Sequence, residues 1–434
     1  MGMTAEKLKI LSVFAAVGVL VLAVPLLRLA EGDDQGRAAT PREDFVPMSQ
    51  QLRGLWLQVH NNDPGCPFEQ YIREIAATGA NTVCLSISAV QPNGSSAAVY
   101  VDRRRTPSDE RLVGMFKLAD TLRLRIVLMP IVLLTHPEGN EWRGKINPPD
   151  WSDWWASYSD YIGHYAALAQ EHGVDVFIVG SELISTERQE NRWRELIADV
   201  RRRSREILDR QFRDHLKALH PDLTADQWLD TYGIASIDTF AASAAEGLSA
   251  DLQGRYEAFV EDRRMLLSYS SNWDHYTVPK FWDALDAVGM TSYYNLNPLG
   301  TADPALEALM DAWGPVRDAI AAWQRQVNKP ILFMEVGWAS QDGCSIEPWN
   351  YYRSTTMDLV EQQRCMQSFL RTFADEPWVG GVLVWKWRDH PGMTGALDAD
   401  DDARLNYPPC GKPVLDDLRA FFTSPNDLAA DKMD

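Results

Sequence analysis

Eight short apolar runs, separated by segments of helical period, constrain this chain more than any other feature. They fall at 54–59, 82–88, 125–133, 176–183, 266–273, 287–294, 331–338 and 381–387. Stretches such as VCLSIS, IVLMP and ILFMEVGW are almost continuously apolar, the pattern of strands covered on both faces in a parallel sheet. Helical periodicity occupies 68–78, 109–121, 151–172, 192–208, 305–326 and 357–374. Strand and helix in alternation predict an α/β chain closed into a (β/α)8 TIM barrel over 49–424. One interval breaks the rhythm: 205–264, between the fourth and fifth runs, reads as a helical insertion, which barrels accept in their connections.

Upstream, 10–27 is an 18-residue apolar run behind Lys7 and Lys9, longer than the ~7 to 15 residues of a cleavable signal core. It predicts an N-terminal signal anchor or signal peptide over 1–30. The basic flank keeps the amino end cytoplasmic, so the barrel is expected outside the cytoplasm, tethered to the cell membrane, or secreted if the segment is cleaved. A polar spacer at 31–48 and a C-terminal tail at 425–434 complete the expected organisation, and the chain is expected to act as a monomer.

The net charge of −19 argues against nucleic acid as a partner. Phosphate binding needs cations clustered on one face, which only Arg201 to Arg205 approaches, and that run reads as a solvated helix face. Cys66, Cys84, Cys344, Cys365 and Cys410 have no CxxC or Cys-and-His spacing, which removes zinc and thioredoxin-type readings. Cys84 lies within an apolar run and reads as core, whereas Cys344 and Cys410 sit in loop-like sequence and could pair in an exported protein. GxSxG, HExxH, GxxxxGK[ST] and GxGxxG are absent, so serine esterase, zinc protease and nucleotide-binding readings have no local support. The acidic run with Asp398, Asp400, Asp401 and Asp402 lacks the Gly and Glu placements of a calcium loop and reads as solvated.

In parallel barrels chemistry gathers at the carboxyl ends of the strands. Two glutamates stand out there: Glu182 ends the fourth run in FIVGSEL, and Glu335 interrupts the seventh in ILFMEVGW. A carboxylate inside an apolar run is costly unless hydrogen bonds or function require it. Two carboxyls facing each other across a barrel mouth suit glycoside cleavage, where one protonates the leaving oxygen and the other attacks the anomeric carbon or activates water. Trp56, Asn272, Trp273, Tyr293, Tyr294, Trp338, Trp385 and Trp387 also stand at strand ends and are candidates to bind substrate. Flat rings stack on apolar sugar faces and amides give directional hydrogen bonds. Trp385 is the leading sugar platform, and Tyr293 or Tyr294 could donate to Glu335 and hold it ionised. His136 and His275, after the third and fifth runs, read first as surface or packed residues.

At these residues the chain resembles the retaining glycosidases whose acid/base ends strand four and whose nucleophile ends strand seven, and more narrowly glycoside hydrolase family 113, which contains endo-β-1,4-mannanases. The segments that carry the resemblance are WRGKINPPDWSDWWASYSDYIGHYAALA, DVFIVGSEL, LLSYSSNWDHY, FWDALDAVGMTSYY, KPILFMEVGW, GGVLVWKW and YPPCGKPVL, in order across about 50–422. The resemblance implies a retaining mechanism with Glu182 as acid/base and Glu335 as nucleophile, a carbohydrate substrate, and no metal or organic cofactor. Two departures stand out. Ser181 replaces the asparagine that most of the wider group carries before the acid/base, with Asn272 as a substitute for its 2-hydroxyl contact, and the insertion could cap the cleft and change the sugar. A non-hydrolytic carbohydrate-binding barrel and an envelope transglycosylase are the alternative functions.

Overall fold

The computed structural model describes residues 44–244, 249–388 and 405–425. The run at 10–27, most of the spacer, the acidic run at 398–402 and the tail from 426 lie outside the described residues. Among those described, no helix is long and apolar enough to cross a membrane.

Eight parallel strands close into one barrel in chain order: β1 (Leu52–Gln58), β2 (Thr82–Gln91), β3 (Arg125–Leu134), β4 (Val176–Ser181), β5 (Leu266–Ser271), β6 (Val288–Thr291), β7 (Ile331–Val336) and β8 (Val379–Val384). Closure runs through the pairing of Leu52 with Gly381 to Leu55 with Val384. Outside lie α1 (Phe68–Ala76), α2 (Asp109–Thr121), α3 (Trp151–Glu171), α4 (Glu190–Leu219), α5 (Ala225–Tyr232), α6 (Ala250–Arg263), α7 (Leu306–Val327), α8 (Leu359–Phe373) and α9 (Val414–Thr423). The β5–β6 connection holds only the short 3₁₀ turn Trp282–Ala284.

Alternation along each strand divides the apolar residues between two cores. Leu52, Trp56, Cys84, Val127, Met129, Val176, Ile178, Leu332, Met334 and Leu383 fill the barrel interior. Their neighbours, such as Leu55, Leu57, Phe177, Val179 and Phe333, face the helices in a second, larger core. Arg53, buried near the amino rim, donates to the carbonyls of Phe421 and Ser424 and so locks α9 against the foot of β1.

All eight expected strands are present, but β4 to β8 stop two or three residues short of the apolar runs that announced them. There ELIS, NWDHY, SYYN and GWAS leave the sheet and become the rim of the mouth. Helix α4 continues well past 208 to Leu219, and the insertion packs around its own core of Leu208, Phe212, Leu216, Trp228, Leu252 and Phe259. Its position corrects the expectation of a cleft cap. Gln211 donates to the carbonyl of Glu171 at the end of α3, and Gln170 donates to that of Arg263 at the end of α6. Helix α3 ends, and β5 begins, at the amino rim, so the insertion hangs from the face opposite the strand ends.

Strand β4 carries an irregularity between Ile178 and Ser181, and Gly180 within it faces the helices. A methyl group there would stand 2.6 Å from the Trp193 ring and 2.9 Å from the Tyr158 hydroxyl. Both partners are fully buried, so neither can yield cheaply. Gly180→Ala is expected to lower stability by about 1–3 kcal/mol, read as a lower urea midpoint with unchanged slope.

Candidate active site

Glu182 follows β4 with φ of +54°, a left-handed conformation that a glutamate holds only under constraint from its surroundings. Two bonds to β5 supply it. The Glu182 amide donates to the Ser270 carbonyl at 2.8 Å, and the Leu183 amide donates to the Tyr269 hydroxyl at 3.0 Å. The side chain thereby turns into the barrel mouth, where its carboxylate pairs with Arg143 from the loop after β3.

Alternation alone would send Glu335 outward with Ile331 and Phe333. Register shifts against both neighbours, between Met290 and Thr291 on one side and between Phe333 and Val336 on the other, mark a bulge in β7, the device that re-aims a side chain beside an active site. Glu335 Oε2 accepts from the Tyr293 hydroxyl at 2.8 Å, and its backbone carbonyl accepts from Ser292. Burial first, and the nearby Glu182 carboxylate second, push its carboxyl up to about 8, against the opposing pull of Arg143, the Tyr293 hydrogen bond and Lys386. The two carboxyls thus sense each other and share one guanidinium, and in such a pair one proton belongs to both.

A cation, a neutral imidazole and a further acid complete the surroundings. Lys386, after β8, donates to Gln58 at 2.8 Å. His60, after β1, is bound to the Ser86 hydroxyl at 3.0 Å. Burial, then Lys386, Arg143 and Arg105, hold it down at about 3, so it is neutral. Glu187, five residues beyond Glu182, is wholly buried and accepts from Tyr269 at 3.0 Å and Ser271 at 3.2 Å, with His275 Nδ1 3.5 Å from its other oxygen. Burial raises it to about 7, with Asp274 and Glu182 adding to the rise. The same Tyr269 hydroxyl bonds both Glu187 and the Leu183 amide, so Glu187 props the turn that aims Glu182.

The anticipated aromatic residues divide. Tyr293 binds Glu335 directly. Trp385 is half-buried at the mouth, its ring centroid 6.3 Å from that of Trp56, with the Lys386 ammonium 5.6 Å over its face. Trp273, also half-buried, stacks on Trp349 at 6.0 Å and 17°. Asn272 is half-buried, and its Oδ1 has no hydrogen-bond partner among the described residues. Four expectations need correction. Trp56 is wholly buried on the inward side of β1, its indole N–H spent on the Met334 carbonyl. Trp338 is sealed against Trp313 and Phe369 beneath the helices, and Trp387 is buried with its N–H on Glu74. Tyr294 gives its hydroxyl to the Trp273 carbonyl rather than to Glu335, so it supports a rim residue. His136 is exposed beside Thr135. All five cysteines are free thiols, and Cys410 faces the Trp387 carbonyl at 3.3 Å.

The sequence model described as Glycoside Hydrolase Family 113 matches residues 66–246 and 264–407, most of the chain. The chain belongs to glycoside hydrolase family 113. Among solved structures it is similar to a family 113 β-1,4-mannanase described in a complex, with 23% identity and a TM-score of 0.61 over 87% of this chain and 100% of the other. It is also similar to the β-mannanase AaManA of Alicyclobacillus acidocaldarius in complex with ManMIm, with 23% identity and a TM-score of 0.62 over 86% of this chain and 97% of the other. At that identity the likeness speaks for the fold. A search of curated proteins finds no match.

The family match also bears on the insertion, because it runs to 246 and leaves out only 247–263. Most of the segment read as a departure from family 113 therefore lies within its matched span. Arg143, His60, Glu187, Lys386 and Trp349 were not anticipated as members of this site. Arg143, His60, Glu187 and Trp349 stand in loops or short turns where no periodicity sets them apart, whereas Lys386 interrupts the apolar run at 381–387 and could have been found by the signal that found the two glutamates.

The raised Glu335 carboxyl has a consequence for stability. The folded chain holds that proton up to about pH 8, whereas the unfolded chain releases it near the ordinary value of 4.5. The stability it contributes is present below the lower value and drains away as pH rises through the upper one. Glu335→Gln, which cannot ionise, is expected to melt about 3 °C above the native chain at pH 8.5 and level with it at pH 4.5, by thermal scans at both pH values.

Proposed function

We propose that this family 113 protein hydrolyses β-1,4-linked mannan-type polysaccharide by double displacement, with Glu335 as nucleophile and Glu182 as acid/base. The observation that carries the reading is the pair of carboxyls after β4 and in β7, both turned into one mouth by irregular backbone that nothing in the sheet itself requires. The family membership and the mannanases of similar fold support the sugar.

In the first step Glu335 attacks the anomeric carbon while Glu182 gives its proton to the departing glycosidic oxygen. In the second, Glu182 takes a proton from water, the oxygen of which displaces Glu335, and the β-configuration is restored. Before the first step the shared proton must reside on Glu182 and Glu335 must be ionised. Substrate entering between Glu182 and Arg143 favours that distribution: it parts the guanidinium from the acid, while Tyr293 continues to donate to Glu335. Trp385 offers a sugar-stacking face at the mouth, with Trp273 and Trp349 forming an outer platform.

The full chain is to be assayed on β-mannans, β-glucans and bacterial envelope glycans, following the anomer first released by NMR. The β-anomer is expected. Glu335→Ala should lose about three orders of magnitude in kcat on mannan. Glu182→Ala should lose comparably on mannan yet keep fast release of an acidic aryl leaving group, which needs no proton. Native turnover in either variant on mannan removes the reading, and products longer than the substrate point to a transglycosylase.

The pH profile provides a separate check. Only the singly protonated pair is active, so kcat/KM should be bell-shaped, its alkaline limb near the upper value of about 8. Arg143 favours the doubly ionised pair. Arg143→Gln should therefore move the alkaline limb to higher pH, and an unmoved limb would separate Arg143 from the proton balance.

A further inference from the structure

The loop from β7 to α8 is fastened at its middle by an acid on the helix. Glu361, in the first turn of α8, accepts the Gly343 amide at 2.7 Å through one oxygen. Its other oxygen accepts the Ser345 amide at 3.0 Å and the Ser345 hydroxyl at 2.6 Å. Cys344 lies between these two clamped residues and is held over the opening turns of α8. One turn further along the helix, at the i+4 position that shares the face of Glu361, stands Cys365. Both cysteines are sealed from solvent, at 3% and 0% exposure, within the same apolar core, and Cys365 lies close enough to Cys344 to add to the rise that burial causes in its thiol.

We propose that Cys344 and Cys365 form a disulfide site that fastens the β7–α8 loop to α8 under oxidising conditions. This pairing replaces the Cys344 and Cys410 pair suggested by loop-like sequence. The oxidant is a low-molecular-weight or protein disulfide of the glutathione class. One cysteine attacks it to give a mixed disulfide, releasing one thiol, and the second cysteine displaces the other half. The oxidant's S–S bond is reduced to two thiols that carry away the two protons, and one S–S bond joins 344 to 365. Burial pushes the Cys344 thiol well above its ordinary value, so exchange proceeds when the loop opens locally and is slow in the closed fold. The ring so formed encloses 345–364, which includes Trp349 and Tyr351. The bond would therefore pin the aromatic rim against the helix that follows the nucleophile strand.

The test incubates the full reduced chain with oxidised glutathione a few degrees below its melting temperature. It is then unfolded, its remaining thiols are alkylated, and it is digested without reductant. One cross-linked peptide pair containing 344 and 365 is expected, with Cys66, Cys84 and Cys410 alkylated. Oxidation should raise Tm by about 4 °C, and dithiothreitol should reverse the rise. Chain cleaved by protease within 345–364 should run as one species until reduced. Cys344→Ser and Cys365→Ser, each compared with itself before and after oxidation, should show neither cross-link nor rise. Five alkylated cysteines, or a bond joining any other pair, overturns the proposal.

Discussion

A closed barrel packed on both faces leaves almost nowhere for a carboxylate to go. Its interior is filled by Trp56, Met129, Ile178, Met334 and Leu383, its outer face is covered by helices, and a bare charge in either layer would be expelled or neutralised. Only the carboxyl rim combines partial burial with polar partners. Glu182 reaches it by leaving the strand in a left-handed turn pinned to β5, and Glu335 by a bulge that breaks the outward alternation of Ile331 and Phe333. Both distortions are held in place by neighbouring elements, so the rigidity of the barrel underwrites the aim of its acids.

The same burial sets the electrostatics. Glu335 and Glu187 are raised chiefly because they are removed from water, and hydrogen bonds from Tyr293, Tyr269 and Ser271 only partly offset that. Cationic Arg143 and Lys386 pull Glu335 down without returning it to its ordinary value. Stability and chemistry pull in opposite directions here. The folded chain is most stable with Glu335 protonated, whereas the nucleophilic role proposed for it requires it ionised. Strain of this kind is stored where a site must be pre-organised before substrate arrives.

The architecture was legible because two-sided burial writes long apolar runs, and eight of them leave few alternatives to a closed barrel. The strand ends were less legible, since rim segments such as SYYN and GWAS stay aromatic after they leave the sheet. Glu182 and Glu335 could be found as interruptions of apolar sequence, but the direction of Glu335 could not, because a bulge leaves no mark in the order of residues. Among the tryptophans the sequence offered equivalent candidates that the fold treats differently. Trp56 is inward on β1 and serves as filler, Trp338 and Trp387 are covered by helices and loops, and Trp385 alone of these four keeps an open face. Trp349 escaped notice because it sits in a loop with no period against which an exposed ring would stand out.

The position of the insertion shifts attention to a different element as the determinant of the cleft. With α5 and α6 hung beneath the amino rim, the β7–α8 loop is the longest connection at the mouth whose residues are all described. It carries Trp349 against Trp273, places Tyr351 6.1 Å from Tyr407, and Tyr407 in turn lies 6.4 Å from Tyr293, the donor to Glu335. An aromatic path therefore leads from the rim to the buried acid, and its outer members hang on a loop held to α8 by the Glu361 carboxylate. Whatever fixes that loop fixes how much aromatic surface the mouth presents to a ligand, because stacking energy is gained only when the rings are already in place.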